Sequence, residues 1–214
     1  MSRPRSLLRL AEFSPRCTVL GPGVRAVVWV QGCPLRCAGC ITPEYLPEAG
    51  GDEVLVGRLA DRILGLDGLD GVTFSGGEPF SQAEALADLV DLLRARRDLS
   101  VMAYSGFRLE HLRQRGARER RLLAGLDLLV DGPYRQEHHA ALRWRGSSNQ
   151  RLHVLTARHR HLLAEPDVSA GLEIVVRQDG ALDPIGVPPV PDFRDRFFDH
   201  LASAGIHFDD MEDR

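Results

Sequence analysis

Hydrophobic residues recur along the chain at two spacings, and each spacing predicts a different kind of element. Short runs of β-branched and apolar residues predict buried strands, whereas apolar residues three and four positions apart predict helices with one buried face. The runs predict strands at residues 24–30, 71–74, 99–104, 126–130 and 151–155. Helical spacing predicts helices at residues 52–66, 81–97 and 108–124, the last with a break at Gly116. This alternation is typical of an α/β fold with a mostly parallel sheet and right-handed crossovers.

The helix predicted at residues 81–97 has the clearest pattern. Leu86, Leu89 and Leu93 share one face of it. Ser81 and Glu84 have the spacing of a capping box, in which each side chain binds a free backbone N–H of the first turn. We therefore expect this helix to begin at Ser81 and to pack its apolar face against the sheet.

The chain beyond residue 155 has a pattern of its own. Residues 171–178 read as a strand, Asp179-Gly180 as a tight hairpin turn, and residues 193–204 as an amphipathic helix after a proline-rich stretch. We therefore divide the chain into a core domain, residues 1–155, and a small α+β extension of strand, turn, strand and helix, residues 156–214. Such an extension could alter the choice of a partner, or it could stabilise the fold by covering a sheet edge.

Polar, glycine-bearing loops follow four of the predicted strands. They contain Gly32, Gly76-Gly77-Glu78, Ser105-Gly106 and Asp131-Gly132. Because the carboxyl ends of parallel strands meet at one edge of a sheet, these four loops should converge. The sequence therefore predicts a functional site at this edge.

Composition excludes several classes of function. The chain has 214 residues, 43% of them hydrophobic, which suits one domain with a small appendage. A net charge of −3 gives no electrostatic case for binding nucleic acid or an anionic membrane. All 27 basic residues are arginine, which excludes a Schiff-base lysine and a P-loop lysine. With no apolar stretch long enough for a bilayer and no secretory signal, we expect a cytoplasmic protein.

Three of the four cysteines lie in one short window, Cys33, Cys37 and Cys40, with the spacing C-x3-C-x2-C. Three thiolates can hold three irons of a four-iron, four-sulfur cluster and leave the fourth iron open to another ligand. A structural zinc site usually has four ligands, and a disulfide framework is typical of small secreted chains. Incidental buried thiols remain the third alternative. Cys17 stands alone and is expected to be a small buried hydrophobic residue.

The stretch Ser75-Gly76-Gly77-Glu78-Pro79 is the second candidate for chemistry. Paired glycines let a ligand approach the backbone closely because no Cβ intervenes. The Glu78 carboxylate could accept a hydrogen bond from an ammonium or hydroxyl group of that ligand. The alternative is an ordinary turn between a strand and a helix.

Two further polar groupings are less specific. Residues 143–150 could form a backbone nest or clamp in which the flanking arginines meet an anion, or they could be a solvated turn before the last core strand. The histidine pairs His138/His139 and His159/His161 are expected at the surface rather than in a metal site.

Taken in order, these motifs resemble the radical S-adenosylmethionine (radical SAM) superfamily, and within it the activating proteins of anaerobic class III ribonucleoside-triphosphate reductases. The resemblance covers about residues 14–155. It is carried by Gly21-Pro22-Gly23-Val24-Arg25, residues 31–40, Phe74-Ser75-Gly76-Gly77-Glu78-Pro79, Tyr104-Ser105-Gly106-Phe107, Leu129-Val130-Asp131-Gly132-Pro133-Tyr134 and residues 144–151.

The resemblance implies a partial, open α/β barrel, a [4Fe-4S] cluster and S-adenosylmethionine. The cluster ligands would be Cys33, Cys37 and Cys40, and the residues in contact with S-adenosylmethionine would be Gly39, Ile41, Gly76, Gly77 and Glu78. No catalytic residue is implied beyond the cluster and S-adenosylmethionine. One electron from a flavodoxin or ferredoxin type donor would cleave S-adenosylmethionine to methionine and a 5′-deoxyadenosyl radical. That radical would take hydrogen from a backbone glycine of the partner reductase.

The chain departs from the family in two places. Ile41 stands where the family usually has an aromatic residue or histidine, which puts stacking on adenine at that position in doubt. Residues 156–214 continue beyond the family's usual end. The alternatives are a radical SAM enzyme that acts on another protein or peptide, and a non-catalytic iron-sulfur electron carrier or sensor.

Overall fold

A large mixed sheet lies at the centre of the protein. The structure is a computed structural model that describes residues 6–176, 180 and 182–205. Its strands are β1 (Leu7–Cys17), β2 (Arg25–Val30), β3 (Asp52–Leu55), β4 (Gly71–Gly76), β5 (Ser100–Ser105), β6 (Leu128–Asp131), β7 (His139–Leu142), β8 (Arg145–Ser147), β9 (Arg151–Val154), β10 (Leu172–Val176) and β11 (Leu182–Gly186). Its α-helices are α1 (Val56–Leu64), α2 (Ala83–Arg94), α3 (Leu109–Gln114), α4 (Ala117–Ala124) and α5 (Phe193–Ser203).

The strands of the central sheet run in the order β3-β1-β2-β4-β5-β6-β9. The four middle strands, β2, β4, β5 and β6, are parallel to one another. The outer strands β1, β3 and β9 are antiparallel to their neighbours. The α/β fold with a parallel centre is therefore confirmed. None of the helices in the described ranges is long and apolar enough to cross a membrane.

The two faces of the sheet bury different residues because side chains alternate along a strand. On β2, Ala26, Val28 and Val30 pack in the main core with the buried faces of α1 and α2. Val27 and Trp29 point to the opposite face, where they pack with Cys17. That opposite face carries the candidate site. Cys17 is 1% exposed, so its expected role as a buried hydrophobic residue is confirmed.

Long-range pairing decided two elements that the local pattern did not predict correctly. Residues 52–55, expected to begin a helix, form β3 instead, because they pair with residues 7–10 of β1. The extended strand β1 was not predicted. The helix expected from Ser81 begins at Ala83, after a 3-10 helix at Pro79–Gln82, and no side chain caps it. The predicted capping box of Ser81 and Glu84 was therefore wrong.

The other helices and the extension agree with their patterns. The break at Gly116 is confirmed, since α3 and α4 lie on either side of it. In the extension, β10 and β11 pair antiparallel as a hairpin and α5 follows. Residues 177 and 178 of the expected strand, and Asp179 of the expected turn, lie outside the described residues.

Candidate functional site

The loops at the carboxyl ends of the parallel strands are joined by main-chain hydrogen bonds. The Gly77 N–H donates to the Val30 carbonyl at 2.7 Å, and the Glu78 N–H donates to the Gly32 carbonyl at 2.9 Å. The Gly106 N–H donates to Glu78 Oε2 at 2.8 Å. The predicted convergence of the strand-end loops is therefore confirmed, with Glu78 at the junction of three of them.

The paired glycines allow this close approach. A Cβ at Gly76 would lie 2.5 Å from the Val30 nitrogen, and one at Gly77 would lie 2.2 Å from the Gly32 carbonyl oxygen. Gly76 also has a φ of +96°, which side chains disfavour. Steric contact with the neighbouring strand is thus enough to require glycine at both positions.

The three clustered cysteines lie on the loop that follows β2, which we call the cysteine loop (residues 31–42). Cys33, Cys37 and Cys40 are half-buried free thiols. The Cys33 N–H donates to the Leu46 carbonyl at 3.0 Å, and the Cys40 N–H donates to the Cys37 carbonyl at 3.3 Å. Burial raises the pKa of Cys33 and of Cys37, and the neighbouring Cys40 sulfur raises it further.

The three thiols are the type of ligand that iron-sulfur clusters take. In the described ranges, no three His, Cys, Asp or Glu side chains converge closely enough to hold one ion. A four-iron cluster bonds each cysteine to a different iron, so its thiolates stand apart around the cube. Metal binding also keeps thiols ionised, which offsets the rise in pKa that burial causes.

A cavity of about 370 Å³ opens beside the cysteine loop. This volume is at the lower end of the range for small-molecule sites, about 300–1,000 Å³. Residues of the cysteine loop, of the β4 end and of the neighbouring strands line it, among them Gly39, Cys40, Ile41, Ser75, Gly76, Trp29, Tyr104, Tyr134 and Trp144. Gly77, Glu78, Cys33 and Cys37 are not among the lining residues.

Glu78 is 1% exposed, and protein groups donate to both of its carboxylate oxygens. Oε1 accepts from the Phe80 N–H and from the Ser105 hydroxyl, each at 2.9 Å, and Oε2 accepts from the Gly106 N–H. Burial raises the pKa of Glu78 to about 7, although these donors favour the ionised form. Glu78 therefore joins the end of β4 to the end of β5.

The fourth loop is held by a buried aspartate. Asp131 accepts from the Leu109 N–H at 2.6 Å and from Arg151 Nε at 2.9 Å. Burial raises the pKa of Asp131, but Arg151 and the Leu109 N–H lower it more, so that it lies below the usual value. The same arginine binds Glu110, which ties β9 to α3.

Sequence reasoning assigned no role to several residues that shape the site. Gln31 is buried at the end of β2, and its Nε2 donates to the carbonyl oxygens of Glu44 at 3.1 Å and Pro47 at 2.9 Å. The sequence feature that could have identified Gln31 is a polar side chain directly after a buried strand. His139, expected at the surface, lines the cavity and packs against Tyr134, so that expectation was wrong.

The C-terminal extension also reaches the site. Residues 183–188 and 190–195 line the cavity together with the cysteine loop. Arg194 NH1 donates to the Ile41 carbonyl at 3.3 Å and to Glu44 Oε1 at 2.9 Å. Gln136 Nε2 donates to Asp192 Oδ1 at 3.1 Å. One wall of the cavity therefore comes from outside the core.

Comparison with known proteins places this site in a family. The profile of the 4Fe-4S single cluster domain family matches residues 19–153. The chain is similar to the anaerobic ribonucleoside-triphosphate reductase-activating protein of Vibrio cholerae, with 30% identity over 68% of this chain and 97% of the relative. It is also similar to the pyruvate formate-lyase-activating enzyme of Clostridium pasteurianum, with 42% identity over 46% of this chain and 44% of that enzyme.

Among solved structures, QueE from Escherichia coli aligns over 47% of this chain and 52% of that chain, with 20% identity and a TM-score of 0.35. That score is too low to support an argument about the fold. The sequence matches are sufficient by themselves, because the family profile covers more than half of the chain. The chain belongs to the 4Fe-4S single cluster domain family and, within it, to the radical SAM activating proteins.

Proposed function

We propose that this protein is a radical SAM activating enzyme that forms a glycyl radical on an anaerobic ribonucleoside-triphosphate reductase. One observation carries the proposal: the cysteine loop opens onto a small-molecule-sized cavity at the carboxyl ends of parallel strands, beside Gly76. The relative from Vibrio cholerae is named as the activating protein of such a reductase, and the chain spans almost all of it.

The cofactors are a [4Fe-4S] cluster and S-adenosylmethionine. The proposed cluster ligands are Cys33, Cys37 and Cys40, and the proposed residues for S-adenosylmethionine are Gly39, Ile41, Gly76, Gly77 and Glu78. When both cofactors are bound, they supply a 5′-deoxyadenosyl radical that takes a hydrogen atom from a glycine of the partner. Electrons come from a flavodoxin or ferredoxin type donor.

The protein residues position the cofactors and exclude water from them. The hydrogen bonds from Gly77 and Glu78 fix the β4 end against the cysteine loop. Trp29, Tyr104 and Tyr134 line the cavity with aromatic surface, and such walls exclude water from a reactive radical. Glu78 has both oxygens engaged by protein donors, and a carboxylate has a fourth acceptor position that a ligand ammonium can use.

The same proposal extends to the architecture and location of the chain. The parallel strands β2, β4, β5 and β6 are the start of a partial, open barrel of radical SAM type. Residues 1–155 form the catalytic core domain and residues 156–214 the extension, of which residues 183–188 and 190–195 wall one side of the site. The protein acts in the cytoplasm, where a reducing environment preserves an exposed cluster.

One observation supports a second partner enzyme as the target of the radical chemistry. The identity to the pyruvate formate-lyase-activating enzyme of Clostridium pasteurianum reaches 42% over 104 residues. The partner could therefore be a glycyl-radical enzyme of the formate-lyase type, with the same chemistry on a different protein.

Anaerobic reconstitution tests the proposal. The enzyme is given dithionite, S-adenosylmethionine and either an anaerobic ribonucleotide reductase or a pyruvate formate-lyase, and the glycyl radical is measured by electron paramagnetic resonance. We expect a radical on the reductase, none on a reductase whose radical glycine is replaced by alanine, and 5′-deoxyadenosine as product. An electron carrier would give no 5′-deoxyadenosine, and a radical on the formate-lyase alone would identify the second target.

A further inference from the structure

Three polar atoms on residues of the cavity wall are buried without a protein hydrogen-bond partner. They are Trp144 Nε1, the Tyr104 hydroxyl and His139 Nε2, three of the five such side-chain atoms within the described ranges. All three residues line the cavity. Because buried polar groups in folded proteins are nearly always paired, orphaned groups on three residues of one cavity wall point to a ligand that pairs them.

Among the three residues, Trp144 gives the strongest evidence for a bound ligand. It is 5% exposed, and an indole N–H can only donate. Its ring packs with Met102, Leu128 and Val130, on the face of the sheet that carries the site. An unpaired donor in such surroundings destabilises the protein unless a ligand supplies an acceptor.

The backbone at Trp144 is held in an unfavourable conformation. Trp144 has a φ of +54°, in the left-handed region that non-glycine residues avoid. It lies between β7 and β8, and the arginines on either side of it are anchored: Arg143 NH1 donates to the Leu162 carbonyl at 3.1 Å, and Arg145 binds Asp167. Strain of this kind persists where the surrounding structure imposes it, often at binding sites.

The two other orphaned groups extend the donor set. The Tyr134 hydroxyl lies 3.1 Å from His139 Nδ1. When that hydroxyl donates to Nδ1, the imidazole carries its hydrogen on Nε2, which is then a donor. The Tyr104 hydroxyl can donate as well. A ligand that satisfies these groups must therefore offer acceptor atoms, such as the oxygens of a carboxylate, a hydroxyl or a main-chain carbonyl.

We propose that Trp144 is a ligand-binding residue of this site, whose indole N–H, together with Tyr104 and His139, binds an acceptor oxygen of the molecule in the cavity. This inference rests on the proposed function for the identity of that molecule. The oxygen belongs either to S-adenosylmethionine, whose proposed contacts Gly39 and Gly76 line the same cavity, or to the main chain of the target protein. This assigns a role to the segment 143–150, which reads from the sequence as either a clamp or a solvated turn.

Trp144→Phe tests the proposal, because it removes the N–H and keeps an aromatic ring. Trp29→Phe makes the same change at the other tryptophan of the chain, which lines the same cavity and whose nitrogen is not among the orphaned atoms, so it measures what the loss of an indole ring alone costs. A second variant preserves the ring shape. In Trp29→Phe protein, Trp144 is the single tryptophan, and incorporation of benzothienylalanine replaces its N–H with sulfur.

Two measurements distinguish the sources of the oxygen. The first is the Kd of the cluster-loaded enzyme for S-adenosylmethionine, by equilibrium dialysis without turnover. The second is the yield of glycyl radical per 5′-deoxyadenosine. Loss of one hydrogen bond should weaken the interaction roughly tenfold. A raised Kd assigns the acceptor to S-adenosylmethionine, and an unchanged Kd with a lower radical yield assigns it to the target.

The proposal is overturned if, in both measurements, Trp144→Phe stays within about twofold of the wild-type enzyme and the benzothienyl protein stays within about twofold of its parent, Trp29→Phe. A failure of the proposed function looks different. In that case the wild-type enzyme binds and cleaves S-adenosylmethionine but forms no glycyl radical on either partner, and the Kd measurement then decides the role of Trp144 alone.

Discussion

Two regions of the protein meet at the cavity, and different kinds of contact hold them there. In the core, main-chain hydrogen bonds and glycine contacts join the strand ends, and the covering helix α2 buries seven of its residues. In the extension, every residue of α5 is at least partly exposed. The contact of α5 with Glu44, next to the cysteine loop, is a side-chain pair of partly exposed groups, Arg194 with Glu44. The core strands therefore carry the cysteine loop, while α5 adds an exposed wall to the cavity.

The family comparison divides the chain in the same way. The family profile ends at residue 153, just before the extension begins. A helix that adds a cavity wall and buries none of its residues can change more freely than strands that carry the cysteine loop. This difference gives the following four expectations, ordered from the largest effect to the smallest.

The largest effect is expected in the cysteine loop. Cys37→Ala removes one of three proposed protein ligands, so we expect essentially complete loss of the four-iron absorbance after anaerobic reconstitution. Cys17→Ala, a change at the buried cysteine outside the loop, should keep the cluster. Iron analysis and absorbance measure both variants, and an intact cluster in Cys37→Ala would contradict the ligand assignment.

Truncation of phenylalanine to alanine should lower the free energy of unfolding by very different amounts in the core and in the extension. Phe74 on β4 is completely buried, so Phe74→Ala should lower the free energy of unfolding by about 3–5 kcal/mol. Phe193 is partly exposed and stacks on Phe197, so Phe193→Ala should cost less than about 1 kcal/mol. Urea unfolding of the metal-free protein measures both, and equal costs would show that the extension belongs to the core.

Glu78 should make the stability of the core depend on pH. Burial raises its pKa in the folded protein to about 7, above the unfolded value of 4.5, so the folded state binds more protons between these values. The contribution of Glu78 to the free energy of unfolding therefore falls as the pH rises through 7. Glu78→Gln misplaces an N–H₂ group among three donors and should cost about 1–3 kcal/mol, more at pH 5 than at pH 8.

Unfolding at several pH values measures the difference between Glu78→Gln and the wild-type protein. Glu84→Gln, a change at an exposed residue of α2, is the control and should differ little from the wild-type protein at any pH. A cost of Glu78→Gln that is larger at pH 8 than at pH 5 would contradict the raised pKa.

The smallest effect on stability is expected at the contact between the extension and the cysteine loop. The Arg194–Glu44 pair is partly exposed, and such pairs contribute about 0–1 kcal/mol, so Arg194→Met should hardly change global unfolding. It should nevertheless speed hydrogen exchange several-fold in residues 193–203, because their anchor to the Ile41 carbonyl is lost. Arg196→Met, on the exposed side of the same helix, should leave exchange unchanged.

Much of the core could be predicted from local patterns. The four parallel strands, the broken helix at Gly116 and the convergence of the strand-end loops all follow from residue spacing and glycine placement. Failures occurred where a distant segment decided the outcome. Residues 52–55 form a strand because β1 lies beside them. Ser81 does not cap α2 because it lies inside the 3-10 helix that Glu78 caps.

The sequence by itself determined the cysteine spacing, the order of the motifs and the alternation of strands and helices that implies a parallel sheet, because these patterns lie in residues close together in the chain. Only the tertiary structure showed that Glu78 joins three loops, that Trp144 and His139 lie on the cavity, and that residues 183–188 and 190–195 line it. Each of these facts depends on contacts between residues far apart in sequence. Such contacts are fixed by packing and hydrogen-bond pairing, which local periodicity does not encode.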